Sequence, residues 1–338
     1  MRTIDIHAHL MPQCFWKTVD AGEAWYGARF EAGDPIGYTV QEGKRDRVST
    51  PKLRWTPEQR LKDMDAQGVD VQVISIHVPL FNYHLDVDAG RRLAEEVNDE
   101  IATMTKQFSN RFAGLATLPA QNAKAAVVEL ERAMKLPGIK GAALDTVVND
   151  QSWDEPQFLP LFKAAEAMGA VLFFHPQPND NLVSPRVKDR AFLSNSIGVP
   201  VEDALLVGTL IYGGILDRCP DLKVCIAHGG GPSCFGMGRL DRAWQVHPGT
   251  RTHIQKPPST YLRRLYYDCL TNSEAALRFL IDQVGPDRIV LGSDWPLVKW
   301  NPSPVAWIQG LQTLTTEEKE KILWKNLEAL LNLPPQDG

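Results

Sequence analysis

The sequence predicts an α/β fold, a (β/α)₈ barrel. Three observations carry this: eight strand-like apolar runs, amphipathic stretches between most of them, and no phosphate-binding loop after the first run. The runs are 3–10 (TIDIHAHL), 69–76 (VDVQVISI), 112–118 (FAGLATL), 139–145 (IKGAALD), 171–175 (VLFFH), 223–228 (KVCIAH), 265–269 (LYYDC) and 288–294 (RIVLGSD). Helical stretches fall at 57–67, 88–107, 123–135, 155–168 and 273–284. Pro57 at a helix start and Gly68 just past its end are ordinary punctuation, and Ser273 is placed as an N-cap. Eight is the number of strands that closes a barrel. An open doubly wound sheet shares the periodicity, but it loses support because neither a G-x-G-x-x-G nor a Walker-type loop follows the first run.

Two segments break the rhythm. Residues 11–56 are rich in Gly, Trp and charge and lack a clean helical period, which reads as an insertion over the barrel mouth. Trp16, Trp25 and Trp55 within it suggest an ordered, aromatic lid. Residues 177–200 form a second irregular insertion. One domain over 1–338 is expected, because barrels commonly run to about 250 residues or more.

Bulk composition excludes several function classes. Lys and Arg number 36 against 41 Asp and Glu, a formal net charge of −5, so there is no basic field for nucleic acid or anionic membranes. The cysteines, Cys14, Cys219, Cys225, Cys234 and Cys269, are odd in number and show no C-x-x-C spacing, which argues against a disulfide framework or a thiolate zinc site. No stretch approaches the roughly 18 apolar residues of a membrane span. The N-terminus opens into a strand-like run without a signal-peptide core, so the cytoplasm is the expected compartment.

The chemistry-bearing residues gather at run ends. His7 and His9 form an H-x-H at the end of the first run; residues two apart on a strand point the same way, which sets two imidazoles side by side as a metal needs. Alone this is a weak signal, since two partly buried histidines beside a loop read the same. His175 closes the fifth run, His228 closes the sixth before Gly229-Gly230-Gly231, and Asp294 closes the eighth within Gly292-Ser293-Asp294-Trp295-Pro296. Five such residues at strand ends are hard to attribute to packing, because a buried Asp or His is costly unless paired or metal-bound. His77 ends the second run as a pocket or core histidine, His84 sits in an aromatic loop, and His253 reads as surface.

Together, the H-x-H, the single His after the fifth run, the HGGG and the G-S-D-x-P resemble the amidohydrolase superfamily. Within it the chain is most similar to the aminocarboxymuconate-semialdehyde decarboxylase family. Matching phrases extend to 64–73 (MDAQGVDVQV), Gly238-Arg239-Leu240-Asp241, Lys256-Pro257-Pro258-Ser259 followed by Tyr261, and Gly285-Pro286-Asp287-Arg288, so the likeness spans nearly the whole chain. The resemblance implies that His7, His9, His175 and Asp294 hold one divalent metal, zinc or else manganese, and that His228 is the acid–base residue beside it, with Asp294 also in the catalytic set. An open-valence metal with an imidazole nearby suits proton transfer near neutral pH.

Many superfamily members bridge a second metal with a carboxylated lysine at the end of strand four. Lys140 lies near the start of that run and Asp145 occupies its end, which favours one metal. The family's carboxylate-gripping lid residues fall on Lys44 and Arg47, with Arg45 the alternative counterpart. Arg239 matches a family arginine after the sixth run, whereas His247 stands where a further one is found. Trp295 reads either as a pocket wall or as packing. The implied partners are a small carboxylic acid substrate and a second copy of the chain, as a homodimer.

The expected activity is metal-dependent, non-oxidative decarboxylation of a small aromatic or unsaturated (muconate-type) acid, a carbon–carbon lyase reaction. The alternative is metal-dependent hydrolysis or hydration, of a carbon–carbon, lactone or amide bond, on the same scaffold. A barrel that binds without turnover would show a broken ligand set, and here the set is complete.

Overall fold

The computed structural model describes residues 2–334 apart from 35, 189, 298, 299, 301 and 302. Strand β1 (Ile4–Leu10) comes first, followed by a small antiparallel sheet of β2 (Arg29–Ala32), β3 (Gly37–Gln41) and β4 (Lys44–Val48). Then come β5 (Val71–Ile76), β6 (Phe112–Ala116), β7 (Ile139–Leu144), β8 (Val171–Phe174), β9 (Lys223–Ile226), β10 (Tyr266–Asp268) and β11 (Ile289–Val290). These seven and β1 form one parallel sheet in the order β1-β5-β6-β7-β8-β9-β10-β11. Its two outer members meet. The Ile6 N–H donates to the Leu291 carbonyl at 3.0 Å and the His9 N–H to the Trp295 carbonyl at 2.7 Å, so the sheet curls until it closes.

Helices fill the crossovers for local reasons. Over Pro57–Gln67, Thr56 accepts from the Gln59 N–H while the Gln59 side chain accepts from Thr56, and Gly68 ends the helix at φ 71°. Ser273 caps Glu274–Val284 by accepting from the Ala276 N–H at 3.3 Å. Helices Val87–Gln107, Ala123–Ala133 and Leu159–Met168 occupy the other stretches expected to be helical. Two more, Val199–Tyr212 and Ser233–Val246, lie on either side of β9 in the chain.

Three sequence expectations need correction. The final strand is only Ile289–Val290; beyond Leu291 the backbone still runs beside β1, but Asp294 sits in the left-handed region at φ 55°, which ends regular pairing. Residues 11–56 are more regular than their periodicity suggests. They carry helix Gln13–Asp20, which buries Phe15 and Trp16, and the antiparallel sheet β2–β4. The tight β3–β4 hairpin turns on Glu42-Gly43, both at positive φ; this pair lacks the Asn-Gly or Asp-Gly signature that makes such turns legible. Finally, the irregular 177–200 stretch contains the short helix Ser184–Val187 and a π-turn over Ser194–Gly198.

The small sheet rests against loops at the C-terminal ends of the barrel strands. Lys44 pairs with Asp180, Asn179 donates to Asp46 at 3.1 Å, and the Gln41 amide lies 3.0 Å from His84 Nε2. No helix among the described residues is long and apolar enough to cross a membrane.

Candidate metal centre

The H-x-H rests on a local irregularity. The β1–β5 register shifts between Asp5 and Ala8, and the His7 N–H is taken up by Asp5 Oδ1 at 3.0 Å. Asp5 also accepts from the Ser293 N–H at 3.0 Å and the Ser293 hydroxyl at 2.6 Å. One buried carboxylate therefore ties the bulge carrying His7 to the segment carrying Asp294. Burial pushes Asp5 up to about 6, against the hydrogen bonds from Ser293 and His7.

The structure brings His7, His9, His175 and Asp294 together, with one potential ligand atom of each within 4.8 Å of the others. His9 Nε2 is 2.8 Å and His7 Nε2 3.3 Å from Asp294 Oδ1. The surroundings set the tautomers. His175 Nδ1 lies 2.8 Å from the Pro176 carbonyl, which only accepts, so Nδ1 carries the proton. His7 Nδ1 donates in the same way to Asp268 Oδ2 at 2.6 Å. His175 thus aims a bare Nε2 at the centre, with no hydrogen-bond partner among the described residues, while His7 Nε2 faces the Asp294 carboxylate; against its burial, the carboxylates of Asp268 and Asp294 raise the His7 imidazole to about 10. An unmet buried acceptor costs about 1–3 kcal/mol, so the group missing from this cradle is an electron-pair acceptor.

Charge agrees with that reading. Burial opposes protonation of His175 and drives it well below its ordinary value; His9 is lowered for the same reason. Asp294 and Asp268 stay ionised below the usual carboxylate range, because His7 hydrogen-bonds to both and outweighs their burial. Three imidazoles facing one carboxylate, backed by a second, fit a single dication. Lys140 reaches back toward the Asn332 carbonyl at 3.4 Å from the opposite end of β7, so it does not stand at this rim to bridge a second ion.

His228 stands beside the cradle, its ring centroid 4.7 Å from His175 and 5.2 Å from His7. The chain turns sharply here: His228, Gly229, Gly230 and Gly231 all have positive φ, and a Cβ on Gly231 would lie 2.0 Å from the Pro200 carbonyl oxygen. The close approach brings in the helix bearing Asp203, whose Oδ2 lies 2.9 Å from His228 Nδ1. Burial works against charge on His228, yet Asp203 holds the imidazole above its ordinary value. Nε2 is the ring nitrogen that Asp203 does not engage. Asp268 also accepts from the Gly229 and Leu270 N–H groups, at 2.9 and 3.0 Å, so it braces the HGGG turn as well as His7.

Sequence reasoning did not single out Asp5, Asp203 or Asp268. The available signal for Asp268 was a carboxylate at the end of a strand run, the same signal that flagged Asp294. Because outer partners of this kind orient metal-binding imidazoles, Asp268→Asn is expected to weaken metal binding about 10–100-fold, measured by competition with a chromophoric chelator.

His228 and Asp294 border a cavity of about 570 Å³, whose wall is largely apolar and includes Val199, Phe235, Leu270 and Phe279. Lys44, Arg47, Arg239 and Trp295 do not line it. Lys44 borders a second cavity of about 590 Å³ between the small sheet and the loops after β5, β7 and β8; Arg45 lines it too while pairing with Glu31. Arg47 is exposed and donates to the Asp34 carbonyl at 3.4 Å, and Arg239 is exposed on its helix. Trp295 is buried, its indole N–H bonded to Asp63 at 2.7 Å. His77 is buried beside His9, with ring centroids 5.6 Å apart, whereas His84, His247 and His253 are exposed.

Asp145 lines the second cavity, and burial pushes it up to about 7 from 3.8, opposed by hydrogen bonds from Gln177 and Thr146. Its neutral form suits the fold, so its stabilising share is complete below about pH 4 and is lost as pH rises through 7. Asp145→Asn is expected to flatten that decline, gaining on the order of 4 kcal/mol at most at pH 8 relative to wild type. Urea unfolding of both proteins at pH 5 and pH 8 checks this.

A profile of the family described as amidohydrolase matches residues 4–333. Over 336 aligned residues the chain is 31% identical to the 2-amino-3-carboxymuconate-6-semialdehyde decarboxylase of Dictyostelium discoideum, covering 98% of this chain and 92% of that protein. The crystal structure of 5-carboxyvanillate decarboxylase from Sphingomonas paucimobilis matches with a TM-score of 0.83 and 26% identity, over 98% of this chain and 99% of that one. A second 5-carboxyvanillate decarboxylase, from Novosphingobium aromaticivorans and crystallised with bound manganese, matches at 0.82 and 23% over 98% and 97%.

Proposed function

This chain belongs to the amidohydrolase family, and from that premise we propose that it catalyses metal-dependent, non-oxidative decarboxylation of a small aromatic or muconate-type carboxylic acid. The observation that carries the reading is the placement of His228: an imidazole held by Asp203, at the wall of an apolar cavity, directly beside a three-His, one-Asp cradle. Relatives named as decarboxylases of such acids support the substrate class.

His7, His9, His175 and Asp294 would hold one divalent ion, zinc by the imidazole-rich donor set, with manganese the alternative. When bound, that ion supplies Lewis acidity toward substrate oxygens. His228 delivers a proton to the carbon that loses CO₂, so the carboxylate is replaced by hydrogen and no oxidant is consumed. Asp203 fixes the His228 ring so that Nε2 faces the substrate. The cavity volume suits one small ring, and its apolar wall removes water from around the breaking bond.

Lys44, on the small sheet over the mouth, is assigned to attract the acid's carboxylate at the rim, with Arg45 rather than Arg47 as its companion, because Arg45 lines the same cavity. Residues 11–56 serve as the cover of one catalytic unit spanning 1–338. Arg239 lies one turn beyond the exposed Phe235 (84% exposed) on helix Ser233–Val246, which packs on the helix carrying the exposed Leu205 (52%), an arrangement that suits burial against a second copy in a homodimer. Trp295 supports the site from beneath. A cytoplasmic location is consistent with five free cysteines.

The test is incubation of zinc- or manganese-loaded protein with carboxylated phenols and muconate semialdehydes. CO₂ release matching substrate loss is the expected result. Incorporation of ¹⁸O from labelled water into product without CO₂ would mean hydrolysis or hydration instead.

A further inference from the structure

Arg60 lies in the first turn of helix Pro57–Gln67, is 2% exposed, and makes no contact with the cavity over His228. A guanidinium is costly to bury, so what it holds matters. Its Nε donates to Gln72 Oε1 at 2.7 Å, and a terminal nitrogen donates to the His9 carbonyl at 2.9 Å. Its planar head lies 3.9 Å from the centroid of the Trp295 ring. The same helix also takes the edge of that indole, because Trp295 Nε1 donates to Asp63, itself anchored by Lys52 at 2.7 Å and Gln67 at 2.9 Å.

One helix thus grips both sides of the seam where the barrel closes. It holds the backbone of one cradle residue, His9, and the side chain following another, Asp294. His9 Nε2 and Asp294 Oδ1 lie 2.8 Å apart, closer than His7 Nε2 is to the same oxygen at 3.3 Å. Their spacing depends on how the segment 294–296 lies against β1, and Arg60 spans that joint.

We infer that Arg60 is a positioning residue for the metal centre, fixing Asp294 relative to His9 by clamping Trp295 against the His9 carbonyl. This rests on the metal-binding reading of the cradle. A lysine keeps the charge and can reach one acceptor, but it loses both the two-acceptor fork and the planar face on the indole.

The experiment uses Co²⁺ as the probe on the full chain. Arg60→Met and Arg60→Lys are compared with wild type by chelator competition and by the visible absorption of the cobalt-loaded protein. Arg111→Met serves as a control, because Arg111 bridges Asp65 of the same helix to the Asp70 carbonyl, away from the cradle. The expected result is a 10–100-fold weaker Co²⁺ affinity with an altered cobalt band in Arg60→Met and an intermediate loss in Arg60→Lys. Arg111→Met should lose thermal stability while binding Co²⁺ like wild type.

Wild-type affinity and spectrum in Arg60→Met would overturn the inference, as would an equal loss of affinity in Arg111→Met. Should Arg60→Met fail to fold, Arg60→Lys decides: a weakened, shifted cobalt signal supports the clamp, and an unchanged one overturns it. Wild-type protein that binds no Co²⁺ would overturn the metal reading itself, a different result from bound cobalt that is indifferent to Arg60.

Discussion

Replacing His228 with glutamine is expected to lower kcat by about 10²–10⁴-fold while leaving the bound metal in place, the usual scale for loss of a positioned proton donor. His228 holds none of the four cradle positions; it contacts the cradle through ring packing and is tethered from outside by Asp203. Glutamine keeps a polar group of similar reach without a titratable proton. Metal content by mass spectrometry separates the two roles. A variant that is inactive and metal-free would assign His228 to the cradle, whereas one that is inactive and metal-replete assigns it to proton transfer. Asp203→Asn should cost less, since the imidazole remains but loses its anchor.

Removing the proposed ion or one of its proposed holders is expected to have the other large effect. His175→Ala opens the cradle at a residue whose Nδ1 is spent on a neighbouring carbonyl and whose Nε2 has no hydrogen-bond partner among the described residues. Loss of metal stoichiometry and a rate drop of about 10³–10⁴-fold are expected, equivalent to the several kcal/mol of charge stabilisation a bound ion supplies. A strong chelator should do the same to wild type, with recovery on adding zinc or manganese. Full activity in chelated protein would exclude the proposed mechanism.

The eight strands were legible because each is a short apolar run bounded by helical period or Gly and Pro punctuation. The histidines stood out because they end those runs. What escaped notice lay in contexts that mask polar residues. Asp203 sits in helix Val199–Tyr212, which is apolar nearly all round and so has no periodic stripe; there the acid, next to first-turn Glu202, resembles part of an ordinary acidic helix start. Asp268 hides in a three-residue strand between tyrosine and cysteine. The lid basic residues were assigned by resemblance, and the structure sorts them by what each touches: Lys44 and Arg45 border a cavity, and Arg47 turns out toward Asp34. Trp295, adjacent to a cradle residue in sequence, faces inward because its indole completes the Asp63 cluster. Tertiary pairing of this kind has no local signature.

The seam between β1 and β11 has a bearing on biogenesis. Two cradle histidines lie within the first nine residues, and their carboxylate partner is 285 positions further on. A nascent chain cannot bring the four cradle residues together until the segment bearing Asp294 has emerged and docked against β1, so the cradle is completed late in folding. Once seated, the ion would act as a rivet across the one joint that chain connectivity leaves open.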